Sequence, residues 1–221
     1  MALYASWVLF SDEANVLGGH LRSFAASRPS MTSASGFSLP DECLLEGLLS
    51  RIWQSWGLFC RVCVIESCMG TVDGSGAHVA PHPFSLSEAH VSGAAVRAKT
   101  KKLGPPYWGS TNTMLRHEPT WGDVDVLARV IPRLGCANQS QLLAAFSGGS
   151  QSAKSIQHIR NAAAHRNSET MLEVMAIRSR YVVFPVTHPV HALFWTEPSS
   201  GDFLVTAALD VLVESAFDAI S

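Results

Sequence analysis

Apolar residues recur along this chain at intervals of three and four, the period of helices that present one face to a core. The clearest run is Leu44, Leu45, Leu48, Leu49, Ile52, Trp53 and Trp56. Pro40-Asp41-Glu42 opens it as a helix start with carboxylates at the positive end of the dipole. Gly57 is a candidate interruption, yet Leu58 to Met69 stays apolar until Gly70 supplies a stop. Residues 2–24 predict a first helix. Ser85 or Ser87 caps another that reaches Arg97 and Lys99 before Gly104-Pro105-Pro106. Asp123 starts a helix through Leu127, Val130 and Ile131, weakened at Pro132, and Asn138-Gln139-Ser140 starts the next, through Phe146 to Gly148-Gly149. Residues 150–168 predict a further helix, Glu169 to Arg178 a turn or two more, and Leu204 to Ile220 the last.

Between these periodic stretches the pattern breaks. Residues 27–40 are Ser-rich and carry Pro29, Gly36 and Pro40, which predicts a flexible loop. Residues 71–84 and 107–122 read as connections, the second rich in turn formers around Trp108, His117 and Trp121. Tyr181 to Phe184 and Val190 to Trp195 are β-branched and aromatic around His-Pro turns, which predicts a short β-hairpin near residues 181–195. The fold class is therefore all-α, a helical bundle with long loops. No internal repeat or compositional boundary divides it, so residues 1–221 are expected to form a single domain.

Composition narrows the classes. Hydrophobic residues make up 47% of the 221 and charged ones 15%, which excludes a disordered chain. A net charge of −2 excludes a protein that coats nucleic acid by bulk positive charge, so any contact with RNA must be local. The apolar N-terminus lacks a basic leader and is interrupted by Asp12 and Glu13, and no stretch of eighteen apolar residues occurs elsewhere. The expectation is a cytoplasmic protein with no membrane span. Cys60, Cys63 and Cys68, with His78 and His82 downstream, have spacings seen in zinc sites. Their place in an apolar helical run instead favours buried reduced thiols, and no metal is expected.

The candidate chemistry lies in residues 150–168. On a helix Lys154, His158, Asn161 and His165 follow spacings of four, three and four and share one polar face. Beside it Ile156, Ile159 and Ala163 can face a core, while Ala162, Ala163 and Ala164 let a second helix approach closely. Arg160 precedes His165 by five residues, roughly 140° around the helix. A helix end or a second copy of the chain would bring the two together. An imidazole that titrates near neutrality can take the proton of an RNA 2′-hydroxyl or protonate the leaving oxygen, and a guanidinium can hold the charged phosphorane. The spacing also fits a surface arginine and a histidine at a helix end.

The string Ile159-Arg160-Asn161-Ala162-Ala163-Ala164-His165-Arg166-Asn167 resembles the motif of the HEPN ribonucleases, in which Arg, a polar residue that is often Asn, three further residues and His stand near the end of a helix. Trp53-Gln54-Ser55-Trp56 through Phe59-Cys60-Arg61, and Glu118-Pro119-Thr120-Trp121-Gly122-Asp123, are similar to stretches of a bacterial HEPN-like group that includes defence-associated proteins. The resemblance implies an all-helical core and a homodimer whose two motifs face across a cleft. It also implies metal-independent endonuclease action on RNA, as a toxin or anti-phage effector with an antitoxin or sensor as partner. Arg160 would be the phosphate stabiliser, His165 the acid or base, and Asn161 a positioning residue. Arg166, His158 and Lys154 are candidates for RNA contact. Some members of the family are catalytically silent and bind a nucleotide or protein partner, which is the alternative reading. The basic run Arg97, Lys99, Lys101 and Lys102 could hold an RNA backbone or simply offset a helix dipole. Trp108 and Trp121 are read as pinning loops rather than stacking bases.

Overall fold

The computed structural model describes residues 2–28, 36–109 and 115–221. Their helices are α1 (Ala2–Ala26), α2 (Leu39–Met69), α3 (Glu88–Lys99), α4 (Val124–Leu134), α5 (Gln139–Gly148), α6 (Ser150–His165), α7 (Ser168–Ile177) and α8 (Leu204–Ile220). The all-α class follows, and no described helix is long and apolar enough to cross a membrane. Most of the Ser-rich segment, residues 29–35, lies outside the described residues.

The described strands, β1 (Thr71–Val72) and β2 (His78–Val79), pair antiparallel around an Asp73 turn. The hairpin thus falls earlier than the sequence pattern placed it. At 181–195 the extended pairing is a single bridge from Val182 to Thr196, and Pro189–Phe194 is a 3-10 helix entirely buried. His188 accounts for the difference: its Nδ1 accepts the Val190 N–H and starts a turn where the apolar residues alone suggested a strand.

The chain divides into two compact units, residues 1–11, 56–150 and 213–221 in the first and residues 12–55 and 151–212 in the second. In the first unit, the second half of α2 buries Trp56, Phe59, Cys60, Cys63 and Val64, and Phe10, Trp56, Phe59 and Phe146 form an aromatic core with ring centroids 5.4–6.0 Å apart. Gly57 does not interrupt α2, because burial of Trp56, Phe59 and Cys60 around it outweighs its poor helix propensity, a cost of roughly 1 kcal/mol. A Cβ there would stand 3.6 Å from the Gly122 backbone, so its absence also leaves room for the loop before α4. Gly70 ends α2 in the left-handed region at φ 86°, where a Cβ would come within 2.9 Å of Pro81.

Small residues on α3, Ala94, Ala95 and Ala98, pack against Leu127, Val130, Ile131 and Leu134 of α4. Of Ser85 and Ser87 it is Ser87 that caps α3, and Asp123 caps α4 as expected. Pro132 is carried within the last turn of α4, which continues to Leu134 and closes at Gly135. Asn138 stands at the start of α5 but makes no side-chain cap, donating instead to Ser67 Oγ at 3.1 Å.

In the second unit, Leu45, Leu49 and Ile52 of α2, Leu17, Leu21 and Phe24 of α1, Ile156 and Ile159 of α6, Val174 of α7 and the segment Val190–Trp195 supply the buried surface. Leu44 is half exposed, so the apolar stripe of α2 is narrower than its sequence suggests. Ser38 and Asp41 form the N-terminal cap of α2: Asp41 Oδ2 accepts the Ser38 N–H at 2.8 Å and its hydroxyl at 2.7 Å, and Arg28 pairs with the same carboxylate.

Candidate functional site

Helix α6 forms because its apolar positions fall on one side. Ala153, Ser155, Ile156, Ile159 and Ala162 are buried. Ala162 rather than Ala163 completes this stripe, and Ala163 is half-buried beside it. The polar face is the predicted one: Lys154, His158 and Asn161 are half-buried, and His165 is the exposed last residue of the helix.

The three candidate catalytic residues are not equally placed. Arg160 is half-buried and donates from Nη1 to Asn161 Oδ1 at 3.3 Å, so the asparagine fixes the guanidinium of its neighbour. Arg160 also lines a recess of about 180 Å³ with Ala163 and Ala164 on its own helix and Glu46, Leu49 and Ser50 on α2. Ala163 and Ala164 thus line this recess opposite residues of α2. His165 lies outside this recess, and among the described residues no hydrogen bond joins it to Arg160. The 140° offset expected from the spacing is not closed by the arginine curving back.

Arg166 follows His165 in the left-handed region, at φ 38°, and its N–H returns to the Ala162 carbonyl at 2.9 Å, closing α6 where glycine is usual. This backbone sends the chain sharply into α7, which Asn167 caps by accepting the Thr170 N–H at 2.9 Å. The Arg166 guanidinium meets Glu46 at 2.8 Å, and that carboxylate raises its already high pKa. His158 is joined to Glu173 of α7 at 3.0 Å, a partner within the chain.

The sequence reading missed four residues that the fold brings to this neighbourhood. Glu42 and Glu46 stand one turn apart on α2, with His191 Nε2 3.0 Å from Glu42 Oε1 and His188 Nε2 3.2 Å from Glu46 Oε1. The His188 contact is close but not aligned as a hydrogen bond. Since its Nδ1 accepts from Val190, the neutral ring carries its proton on Nε2, toward the carboxylate. Burial lowers the pKa of both histidines, and outweighs the nearby carboxylates that raise it. His191 is fully buried, its ring stacked on Phe37 with centroids 4.2 Å apart. A second hollow, of about 240 Å³, joins Arg166, Asn167 and His188 to Ala162 and Met171. The signal in the sequence was the pair of histidines three residues apart across Pro189, facing glutamates four apart on a helix.

Elsewhere the readings sort by burial and partner. Cys60, Cys63 and Cys68 are buried within α2, and burial pushes the thiols of Cys60 and Cys63 up, away from the thiolate a metal needs. Among the described residues no group of three or more His, Cys, Asp or Glu side chains is arranged to hold a metal ion. Lys99 of the basic run donates to the carbonyls of His117 and Glu118, while Lys101 and Lys102 are exposed. Trp121 donates to Glu118 and Trp108 to the Leu134 carbonyl, so both tryptophans hold loops as expected. No protein-family model, no curated protein and no solved structure matches this chain.

Proposed function

We propose that the chain is an RNA endonuclease that cleaves through the 2′-hydroxyl, with its site at the C-terminal end of α6. One observation carries the reading: an exposed histidine ends the helix five residues after a half-buried arginine that is oriented by the adjacent asparagine and opens into a recess. His165 takes the proton of the 2′-hydroxyl, the freed oxygen attacks the adjacent phosphorus, and the bond to the 5′-oxygen breaks to leave a 2′,3′-cyclic phosphate. The departing 5′-oxygen receives a proton from the histidine of a second copy or from water. Arg160 offsets the added negative charge of the phosphorane through donors that Asn161 does not use. The angular gap between Arg160 and His165 favours a homodimer, in which the arginine of one copy serves the histidine of the other. Arg166 and Lys154 extend the positive strip for the RNA backbone. The resemblance to HEPN toxins and defence effectors supports a cellular role restrained by an antitoxin or sensor.

The same gap favours a second reading, a catalytically silent module that binds a nucleotide or a protein partner through this face. Incubating the purified chain with RNA in EDTA separates the two. The nuclease reading expects products ending in 2′,3′-cyclic phosphate, lost in both His165→Ala and Arg160→Ala. Equal cleavage by wild type and both variants would place the activity elsewhere, and intact RNA with binding retained would support the silent module. Light scattering tests the dimer, and a monomer that cleaves at full rate would remove the composite cleft.

A further inference from the structure

The first unit contains a hollow of about 600 Å³ that shares no residue with the α6 motif, and its size falls within the range of small-molecule sites. Phe84, Leu86, Tyr107, Trp108 and Leu134 form apolar walls, with His82, His90 and Arg133 as polar groups among them. The walls are pinned. Trp108 donates to the Leu134 carbonyl at 3.2 Å, and its ring lies on His82 with centroids 4.3 Å apart and 9° between the planes. Arg133 sits 5.6 Å over the Tyr107 ring while its Nη1 donates to the carbonyls of Ala98 and Thr100. A hollow braced in this way is preformed, which reduces the ordering a ligand must impose.

The polar groups define what it can accept. His82 Nδ1 accepts the Phe84 N–H at 3.3 Å, which leaves Nε2–H as a donor, and burial lowers the pKa of the ring so that it is neutral at pH 7. Arg133 is the charged side chain of the lining, and no acidic residue accompanies it there among the described residues. Phe84 and Leu86 are 62% and 78% exposed, an apolar rim that an occupant would cover. We propose that this hollow binds a small planar aromatic acid, its rings against the Phe84 and Tyr107 walls and its anionic group toward Arg133 and His82 Nε2.

The probe is 8-anilinonaphthalene-1-sulfonate, which joins aromatic rings to one anion, with N-phenyl-1-naphthylamine as its uncharged counterpart, each titrated into the full chain by fluorescence. The expected result is saturable binding of one sulfonate probe per chain. Phe84→Ala weakens both probes about fivefold through lost apolar contact. Leu86→Glu, at an exposed position that tolerates charge, weakens the sulfonate about fivefold more than the amine. Non-saturable binding, or affinities unchanged in both variants, would overturn the proposal. So would dissociation of a self-associated form by the probe, because the rim would then belong to a second copy.

Discussion

Two arginines of this protein stand in opposite circumstances. Arg61, in the second half of α2, is spent inside the fold: Nε donates to Glu118 at 2.7 Å, Nη2 reaches both Glu118 and Glu88, and Ser92 and Trp121 complete the same carboxylate. Among the described residues Arg160 makes one side-chain hydrogen bond, at 3.3 Å to its neighbour, and it opens into a recess. The stretches 56–61 and 118–122 contain Arg61 and Glu118, and they meet each other here, with Trp56 Nε1 also donating to the Gly122 carbonyl at 3.1 Å. Trp56, Arg61, Glu118 and Trp121 are accounted for by packing and hydrogen bonding. A motif whose polar groups are consumed by the fold explains stability, whereas one whose donors are left over is a candidate for chemistry.

The contrast predicts separate failures. Largest is the effect at α6: His165→Ala and Arg160→Ala each reduce RNA cleavage by about 10²- to 10⁴-fold while the thermal midpoint stays within about 2 °C of wild type. A variant that loses cleavage only by unfolding would erase the distinction, so both quantities are read on the same preparations. Glu118→Gln has the reverse profile, a loss of about 3 kcal/mol in urea unfolding because Arg61 is left without its main partner. Burial raises the pKa of Glu118, but hydrogen bonds from Arg61, Ser92 and Trp121 and the Arg61 charge lower it more. Its folded pKa is therefore depressed, and the stability it contributes is present above about pH 4.3, its unfolded value, and lost as pH falls further. Glu118→Gln removes that part of the acid dependence, and an unchanged acid limb would show that the cluster is not what the acid attacks.

Arg166→Ala sharpens the comparison from the substrate side. Its ion pair with Glu46 is exposed, so the unfolding midpoint should hardly move, whereas RNA affinity should fall and the slope of log affinity against log salt should shrink by about 0.7. An unchanged slope would return Arg166 to a purely structural role as the closing residue of α6. The smallest effect is at His188. Its folded pKa is lowered chiefly by burial, so its contribution is complete above the unfolded value of about 6.5 and declines as pH falls below it. Unfolding midpoints at pH 7.5 and 5.5 should differ less in His188→Gln than in wild type, and an equal difference would show that His188 does not titrate against the fold.

Much of this architecture was legible. Ser87 and Asp123 announced α3 and α4 because a cap is a local hydrogen bond, decided within four residues. The polar face of α6 was legible from its period for the same reason. The hairpin was displaced because Val190 to Trp195 is apolar at every position but one, and a continuous apolar run does not distinguish a buried strand from a buried 3-10 turn. Glu42, Glu46, His188 and His191 escaped notice because their meeting depends on chain separations of more than 140 residues.

The sequence by itself determined that the chain is helical, that its longest helix starts at the Pro-Asp-Glu segment, and that an arginine, an asparagine and a histidine stand near the end of one helix. Periodicity and capping are local properties, and a local window contains them. Only the tertiary structure decided that Arg61 is held by two carboxylates while Arg160, among the described residues, is held by its neighbour alone, that Arg160 shares a recess with α2, and that a glutamate on α2 faces both Arg166 and a buried histidine. Whether a charge is consumed or left over depends on which distant groups share its surroundings and on how much water they exclude.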